Sequence, residues 1–315
     1  MKRIISIIAV IAVVILYIGI NKYMKKTEAV GVGSLRVEDS YNADLSFSVL
    51  GDVHTKEDHL KEAILELYGI NPKMDALVLN GDTVDEGTIK DYDVIKNYLN
   101  KNKKYLPKTI IKNIGNHEFF DYKKETNSPE DVSVFIKRYL EFSGENKVYH
   151  DRWIKDYHFI SLGSEDGNSK TANSVKAYIS KEQLQWLKEK LSEKYIKGKP
   201  IFVFLHQNLN KTSRGWVGTD HGEELKKILS QYPEVIIFNS HTHQSLKDNN
   251  VKLNEPYTVV HTGAVKYTIL FNESKMERVP YNQGLYVEVK GTNVTIKGID
   301  FKEKSWIFKQ EIVDK

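Results

Sequence analysis

The chain has 315 residues, 40% of them apolar, and 46 Lys and Arg against 42 Asp and Glu give a formal charge of +4. This is enough apolar chain for one large α/β domain or two small ones, and a slight basic excess spread along the sequence makes no case for nucleic acid by charge. The absence of cysteine excludes disulfides, thiolate metal sites, a nucleophilic thiol and a lipid-modified cysteine, so any metal must be held by nitrogen and oxygen.

The first element follows Met1-Lys2-Arg3. The uncharged run "IISIIAVIAVVILYIGI", Ile4 to Ile20, would span about 26 Å as a helix, close to the hydrocarbon thickness of a bilayer. No good A-x-A site follows, since Thr27-Glu28-Ala29 is a poor match, so an uncleaved anchor is favoured over a cleaved signal peptide. Lys2 and Arg3 lie before the run and Lys22, Lys25 and Lys26 after it, so the positive-inside rule does not decide the orientation. The expected organisation is a transmembrane anchor or signal segment over 1–26, a polar linker over 27–42, and one domain over 43–315. We place that domain on the outer side of the cell membrane, with secretion as the alternative.

From Leu45 onward, short apolar runs alternate with amphipathic segments such as "EDHLKEAILELYG" and "SKEQLQWLKEKLSEKY", the pattern of a layered α/β fold. Trp186 and Leu187 face its core. Beyond Glu255 the helical patterns stop. The tail "GLYVEVKGTNVTIKGIDF" alternates around a turn at Gly291-Thr292-Asn293 and predicts an antiparallel hairpin, so the sheet system is mixed.

Five apolar runs end in polar residues capable of chemistry. "LSFSVL" runs into Gly51-Asp52-Val53-His54, "DALVLN" into Gly81-Asp82-Thr83-Val84-Asp85, and "TIIKNI" into Gly115-Asn116-His117-Glu118. "PIFVFL" ends at His206 and "EVIIFNS" at His241-Thr242-His243. Residues at the carboxyl ends of several strands converge on one crevice. In extended backbone, positions i and i+2 face the same side, which predicts a shared target for Asp52 and His54, and another for His241 and His243. Asp52, His54, Asp82, Asn116, His206, His241 and His243 are more ligands than one ion holds while leaving room for substrate. Two ions sharing Asp82 would each have four protein ligands, and such a pair can clamp the attacking and leaving oxygens of an in-line displacement.

In that order, "GDVH", "GDTVD", "GNHE", a lone histidine after a strand and "HTH" resemble the signature of the calcineurin-like metallophosphoesterase superfamily, over a stretch from about Leu45 to the end of the chain. The resemblance implies a two-sheet mixed α/β sandwich with four layers. It implies that Asp52, His54 and His243 hold one metal, that Asn116, His206 and His241 hold the second, and that Asp82 bridges them. It makes His117 the general acid, oriented by Asp85, and a metal-bridging hydroxide the nucleophile. Two divalent ions, Mn, Fe or Zn, are the expected cofactors, and a small phosphoester is the expected partner; no oligomeric state is implied. Gly115 is expected to permit the turn off the strand and Glu118 to anchor the loop.

The chain departs from the family pattern at Ser240, where a glycine is usual, and at Gln207-Asn208 after His206. It has Glu86-Gly87 where protein Ser/Thr phosphatases have Arg-Gly, which counts against a protein phosphatase. A nuclease or cyclic-nucleotide phosphodiesterase on the same core is the alternative. A non-catalytic scaffold ranks below both, because such a protein is expected to lose ligands and none is missing. His150, Arg152, Arg214, Trp216 and His221 are candidate rim residues, while His59, His158 and His261 are read as structural.

Overall fold

In the computed structural model, the described residues are Leu35 and 43–313, apart from 171–174, 213–215, 249–250, 254–255 and 273–274. The apolar run of Ile4 to Ile20 therefore lies outside the described residues, as does Arg214. Among the described residues no helix is long and apolar enough to cross a membrane.

The first sheet is built on the predicted apolar runs. Strands β1 (Leu45–Leu50), β2 (Ala76–Asn80) and β3 (Thr109–Asn113) pair in parallel. On the other edge of β1 the sheet continues antiparallel through β12 (Gln283–Lys290), β13 (Asn293–Asp300) and β14 (Ser305–Ile312). The expected tail hairpin is β12–β13; Lys290 faces Asn293 across a turn whose Gly291 sits at φ 61°, a left-handed conformation that glycine adopts without strain.

The second sheet has the order β4 (His150–Ile154), β5 (Tyr157–Ser161), β6 (Ile201–Phe204), β7 (Val235–Asn239), β9 (Thr258–His261) and β8 (Val251–Lys252). Its four central strands run parallel and its two edges antiparallel. A separate ribbon, β10 (Thr268–Asn272) with β11 (Lys275–Val279), belongs to neither sheet.

The sheets pack face to face. Phe47 of β1 stands at the middle of an aromatic cluster, 4.9 Å from Phe159 and 4.8 Å from Phe202 between ring centroids, with Phe204 and Phe238 further out. Helices α1 (Glu57–Ile70), α2 (Ile89–Lys101) and α3 (Pro129–Ser143) pack on the outer face of the first sheet, and α4 (Lys181–Ser192) and α5 (Gly222–Leu229) cover the second. The result is a mixed α/β sandwich with two main sheets. Covering both faces explains why β2 and β7 read as apolar runs in place of an alternating pattern, and why the two serines of β1 are buried with its apolar residues. The helix starts are set locally: Ser128 and Asp131 form a capping box with Pro129 at the first position of α3, and Ser180 accepts from Gln183 N at the start of α4.

Candidate metal centre

The parallel strands of both sheets deliver their carboxyl ends to one place. Asp52 and His54 follow β1, Asp82 and Asp85 follow β2, Asn116 and His117 follow β3, His206 follows β6, and His241 and His243 follow β7. Asp52, His54, Asp82, His241 and His243 all have positive φ, between 48° and 68°. For residues other than glycine this backbone is uncommon and concentrates at functional sites.

It also overturns one spacing argument. Asp52 and His54 do share a target, with His243, but His241 joins Asp82 and His206 instead. All four residues are left-handed and not extended, so the two-residue alternation applies to neither pair; Asp52 and His54 converge, whereas His241 and His243 point to different clusters.

The local scaffold is Glu118. Its carboxylate accepts from the backbone N–H of Gly115 (2.7 Å), Asp82 (3.0 Å) and Thr83 (2.9 Å), tying the loops after β2 and β3 together. Gly115 serves by close approach: a Cβ there would land on Asp82 Oδ1, and its φ is not among the positive ones. His117 N donates to that same Asp82 oxygen at 2.8 Å.

The tautomers follow from the outer partners of the rings. His54 Nδ1 faces Asp85 Oδ1 at 3.1 Å, His206 Nδ1 faces the Asn80 carbonyl at 2.8 Å, and His243 Nδ1 faces the Tyr267 carbonyl at 2.9 Å. Each acceptor calls for a proton on Nδ1, which leaves the Nε2 lone pair directed inward. His54 and His243 therefore present two unprotonated nitrogens to one another 3.1 Å apart, a repulsive arrangement unless a cation lies between them. Asp52 Oδ1, at 3.3 Å from His243 Nε2, completes that trio. In the second trio, Asp82 Oδ2 lies 3.1 Å from His206 Nε2 and also 3.8 Å from His54 Nε2, between the two clusters. Asp52 Oδ1, Asn116 Oδ1 and His241 Nε2 are buried without a hydrogen-bond partner, the condition of atoms that await a ligand other than protein.

The electrostatics agree. Burial drives His54 down to about 4 and His241 to about 3, and holds His243 well below the ordinary imidazole value, so these rings are neutral donors. His206 is the exception: burial opposes its charge too, but Asp82 and Asp52 outweigh it and lift it to about 9, so without an ion this ring holds a second proton on Nε2 toward Asp82, which a cation would replace. The carboxylates draw positive charge into the site. Nitrogen and oxygen donors in this number fit two divalent ions, with Asp82 placed to serve both.

His117 differs from these rings. Its side chain is 18% exposed, against 5% or less for His54, His206 and His243, although its nitrogen also lies within reach of His54 and Asp82. Nδ1 is held at 2.8 Å by the main-chain carbonyl of Asp85, and the Asp85 carboxylate is 3.9 Å away. The side chain expected to orient His117 thus serves His54 instead, and it is paired at the same Oδ1 with Lys266 Nζ at 2.6 Å. The His54 bond and the Lys266 ammonium hold the Asp85 carboxyl well below the usual carboxylate range.

Aromatic rings line the rim. Trp216 meets His241 edge-on at 5.2 Å, Tyr267 stacks on His243 at 4.3 Å, and Phe120 lies against His117 at 4.2 Å. Of the described rim candidates read from sequence, Trp216 makes a ring contact with the cluster; His221 packs on Tyr178, and His150 and Arg152 lie by Glu145. Lys266, Tyr267, Phe120 and Tyr122 escaped sequence reading. Only the last two carried a signal, lying within five residues of His117 in "GNHEFFDY".

The family pattern of calcineurin-like phosphoesterases matches residues 45–245. The chain belongs to that family. It is a metal-dependent phosphoesterase. It is 24% identical over 263 residues to a 3′,5′-cyclic-nucleotide phosphodiesterase of Nostoc sp., covering 74% of this chain and 87% of that one. The fold is similar to that of GAP50, the anchor in the inner membrane complex of Plasmodium, with a TM-score of 0.57 at 15% identity over 86% of this chain and 89% of that chain.

Proposed function

We propose that the chain hydrolyses phosphoesters at a pair of divalent ions, with Asp52, His54 and His243 holding the first, Asn116, His206 and His241 the second, and Asp82 both. The observation that carries this reading is the inward orientation of unprotonated histidine nitrogens and orphaned oxygens in two trios that meet at Asp82. When bound, ions such as Mn²⁺, Fe²⁺/Fe³⁺ or Zn²⁺ supply Lewis acidity and lower the pKa of water.

The chain's own residues do the rest. Asp52 and Asp82 place negative charge that the ions neutralise, and the buried histidines fix their positions. With Nδ1–H donated to the Asp85 carbonyl, His117 is free to carry a second proton on Nε2 and to face solvent and substrate. In hydrolysis a water oxygen bonds to phosphorus, the ester P–O bond breaks, and the departing oxygen takes the Nε2 proton. The proton lost by the attacking water passes to solvent and His117 is recharged from there.

Among esters, the similarity to the Nostoc cyclic-nucleotide phosphodiesterase favours a phosphodiester substrate, and a cyclic nucleotide in particular. The complete ligand set supports catalysis over the scaffold reading. We further propose that residues 1–26 anchor the 43–315 domain to the cell membrane through the 27–42 linker, with the domain on its outer side; the apolar run of Ile4 to Ile20 supports this.

Purification in excess Mn²⁺ should leave close to two metal equivalents per chain by elemental analysis, and Asp82→Asn should disturb both sites together. One equivalent or none in the wild type would sink the two-ion reading.

A further inference from the structure

Four aromatic side chains rim the metal centre, and they differ in what they have left to offer. Tyr267 is covered on one face by His243 and on the other by Arg278, whose guanidinium carbon lies 4.9 Å from the ring centroid. Phe120 spends a face on His117, and Trp216 turns its edge or face to His241 on the side of the second trio. Tyr122 meets His117 and Phe120 edge-on at 6.4 and 6.2 Å, its hydroxyl lies 3.5 Å from His117 Nδ1, and the side chain is 62% exposed, the highest value among the large apolar side chains described.

That exposure does not come from a loose segment. Tyr122 N donates to Glu86 Oε1 at 2.6 Å, and Gly87 N donates to the Phe120 carbonyl at 2.9 Å, so the backbone beneath the ring is tied to the loop that carries Asp85. The ring is thus held beside the acid that protonates the leaving group with most of its surface in solvent, where a flat ligand can cover it.

We infer that Tyr122 is the platform on which the base of a nucleoside leaving group stacks while the ester oxygen lies at His117. This rests on the phosphodiester reading above. The ester oxygen that leaves belongs to the sugar, so the sugar and its base lie on the His117 side of phosphorus. The two rings are neighbours, 6.4 Å between centroids, so a nucleoside whose ester oxygen lies at His117 has Tyr122 beside it. Stacking is tolerant of base identity, so the assigned class is nucleoside phosphodiesters in general and not one base.

The test uses the full, metal-loaded chain and two substrates with the same reacting group, adenosine 3′,5′-cyclic phosphate and a baseless 1-O-methylribose 3′,5′-cyclic phosphate. In the wild type the nucleotide should have the higher kcat/KM. Tyr122→Ala should lower the ratio of the two kcat/KM values about tenfold or more, the usual worth of a base–aromatic stack. The change should fall mainly on KM, since stacking holds ground and transition states alike. Tyr122→Trp should restore the ratio. An equal fall on both substrates, no fall, or a wild type indifferent to the base would overturn the assignment while leaving phosphodiester hydrolysis standing. A wild type that cleaves phosphomonoesters but neither cyclic substrate would overturn the phosphodiester reading and the platform with it.

Discussion

At the scale of single residues, Asp85 and His117 separate two roles that the sequence pattern had joined. The Asp85 main chain holds His117, and its side chain holds His54. His117→Asn should keep both metals yet lose on the order of 10²–10⁴-fold in rate on a substrate with an alkoxide leaving group, the usual share of general acid catalysis. On a p-nitrophenyl ester, whose leaving group departs as an anion, the loss should be much smaller. Asp85→Asn should behave differently. It keeps the carbonyl, so the leaving-group dependence stays as in wild type, but it weakens the acceptor that sets the His54 tautomer, and metal affinity at the first site should fall about 10–100-fold. Steady-state rates on the two esters and metal titrations of both variants check this pair; metal loss in His117→Asn would remove its assignment as the acid.

At the scale of elements, the strand pair β4–β5 contains a titration distant from the metal ligands. Burial holds the His158 imidazole below its ordinary value, with the bond to Asp151 at 2.9 Å opposing. The unfolded ring takes its proton near pH 6.5 and the folded ring only at lower pH, so below about 6.5 the unfolded state binds more protons. The contribution to stability is full above that pH and is lost as pH falls. His158→Gln should therefore lose less stability than the wild type between about pH 7.5 and 5, read from urea midpoints, and parallel curves for the two proteins would refute it. The same elements show what a linear reading sees. Short runs dominated by apolar residues announce these strands, and the Asp, Asn and His residues that end them stand out by contrast. That is why β1, β2, β3, β6 and β7 and all seven proposed ligands were legible. The ribbon β10–β11 and the approach of Lys266 and Tyr267 to the site were not, because a loop that crosses from one sheet end to another has no period. The partner of the Asp85 carboxylate is likewise decided by left-handed turns, whose directions no spacing rule carries.

At the scale of the molecule, each ligand trio draws on both sheets: Asp52 and His54 with His243, and Asp82 with His206 and His241. Bound ions would act as crosslinks across the sandwich and be absent from the unfolded chain, so at a concentration 100 times Kd each adds about 2.7 kcal/mol. Chelation should lower Tm by roughly 5–10 °C for a domain of this size, and calorimetry with and without EDTA reads it; an unchanged Tm would mean the trios do not hold metal. The anchor is tested by fractionating cells and sequencing the mature N-terminus. Recovery in the membrane fraction with Met1 or Lys2 at the start is expected, whereas a soluble form beginning after Ala29 would make the protein a secreted one.

The neighbours of β1 set a timetable for synthesis. On one side it pairs with β2, available within a few tens of residues, but on the other Leu45 waits for Val289. Roughly 240 residues must be made in between, which takes on the order of ten to fifty seconds on a ribosome. Throughout that time a strand that ends fully buried in the first sheet is an open edge of largely apolar sequence, a hazard for pairing between nascent chains. The completed sandwich hides this edge under β12, so the stage at which the protein is most prone to aggregate is one that no property of the finished fold reveals.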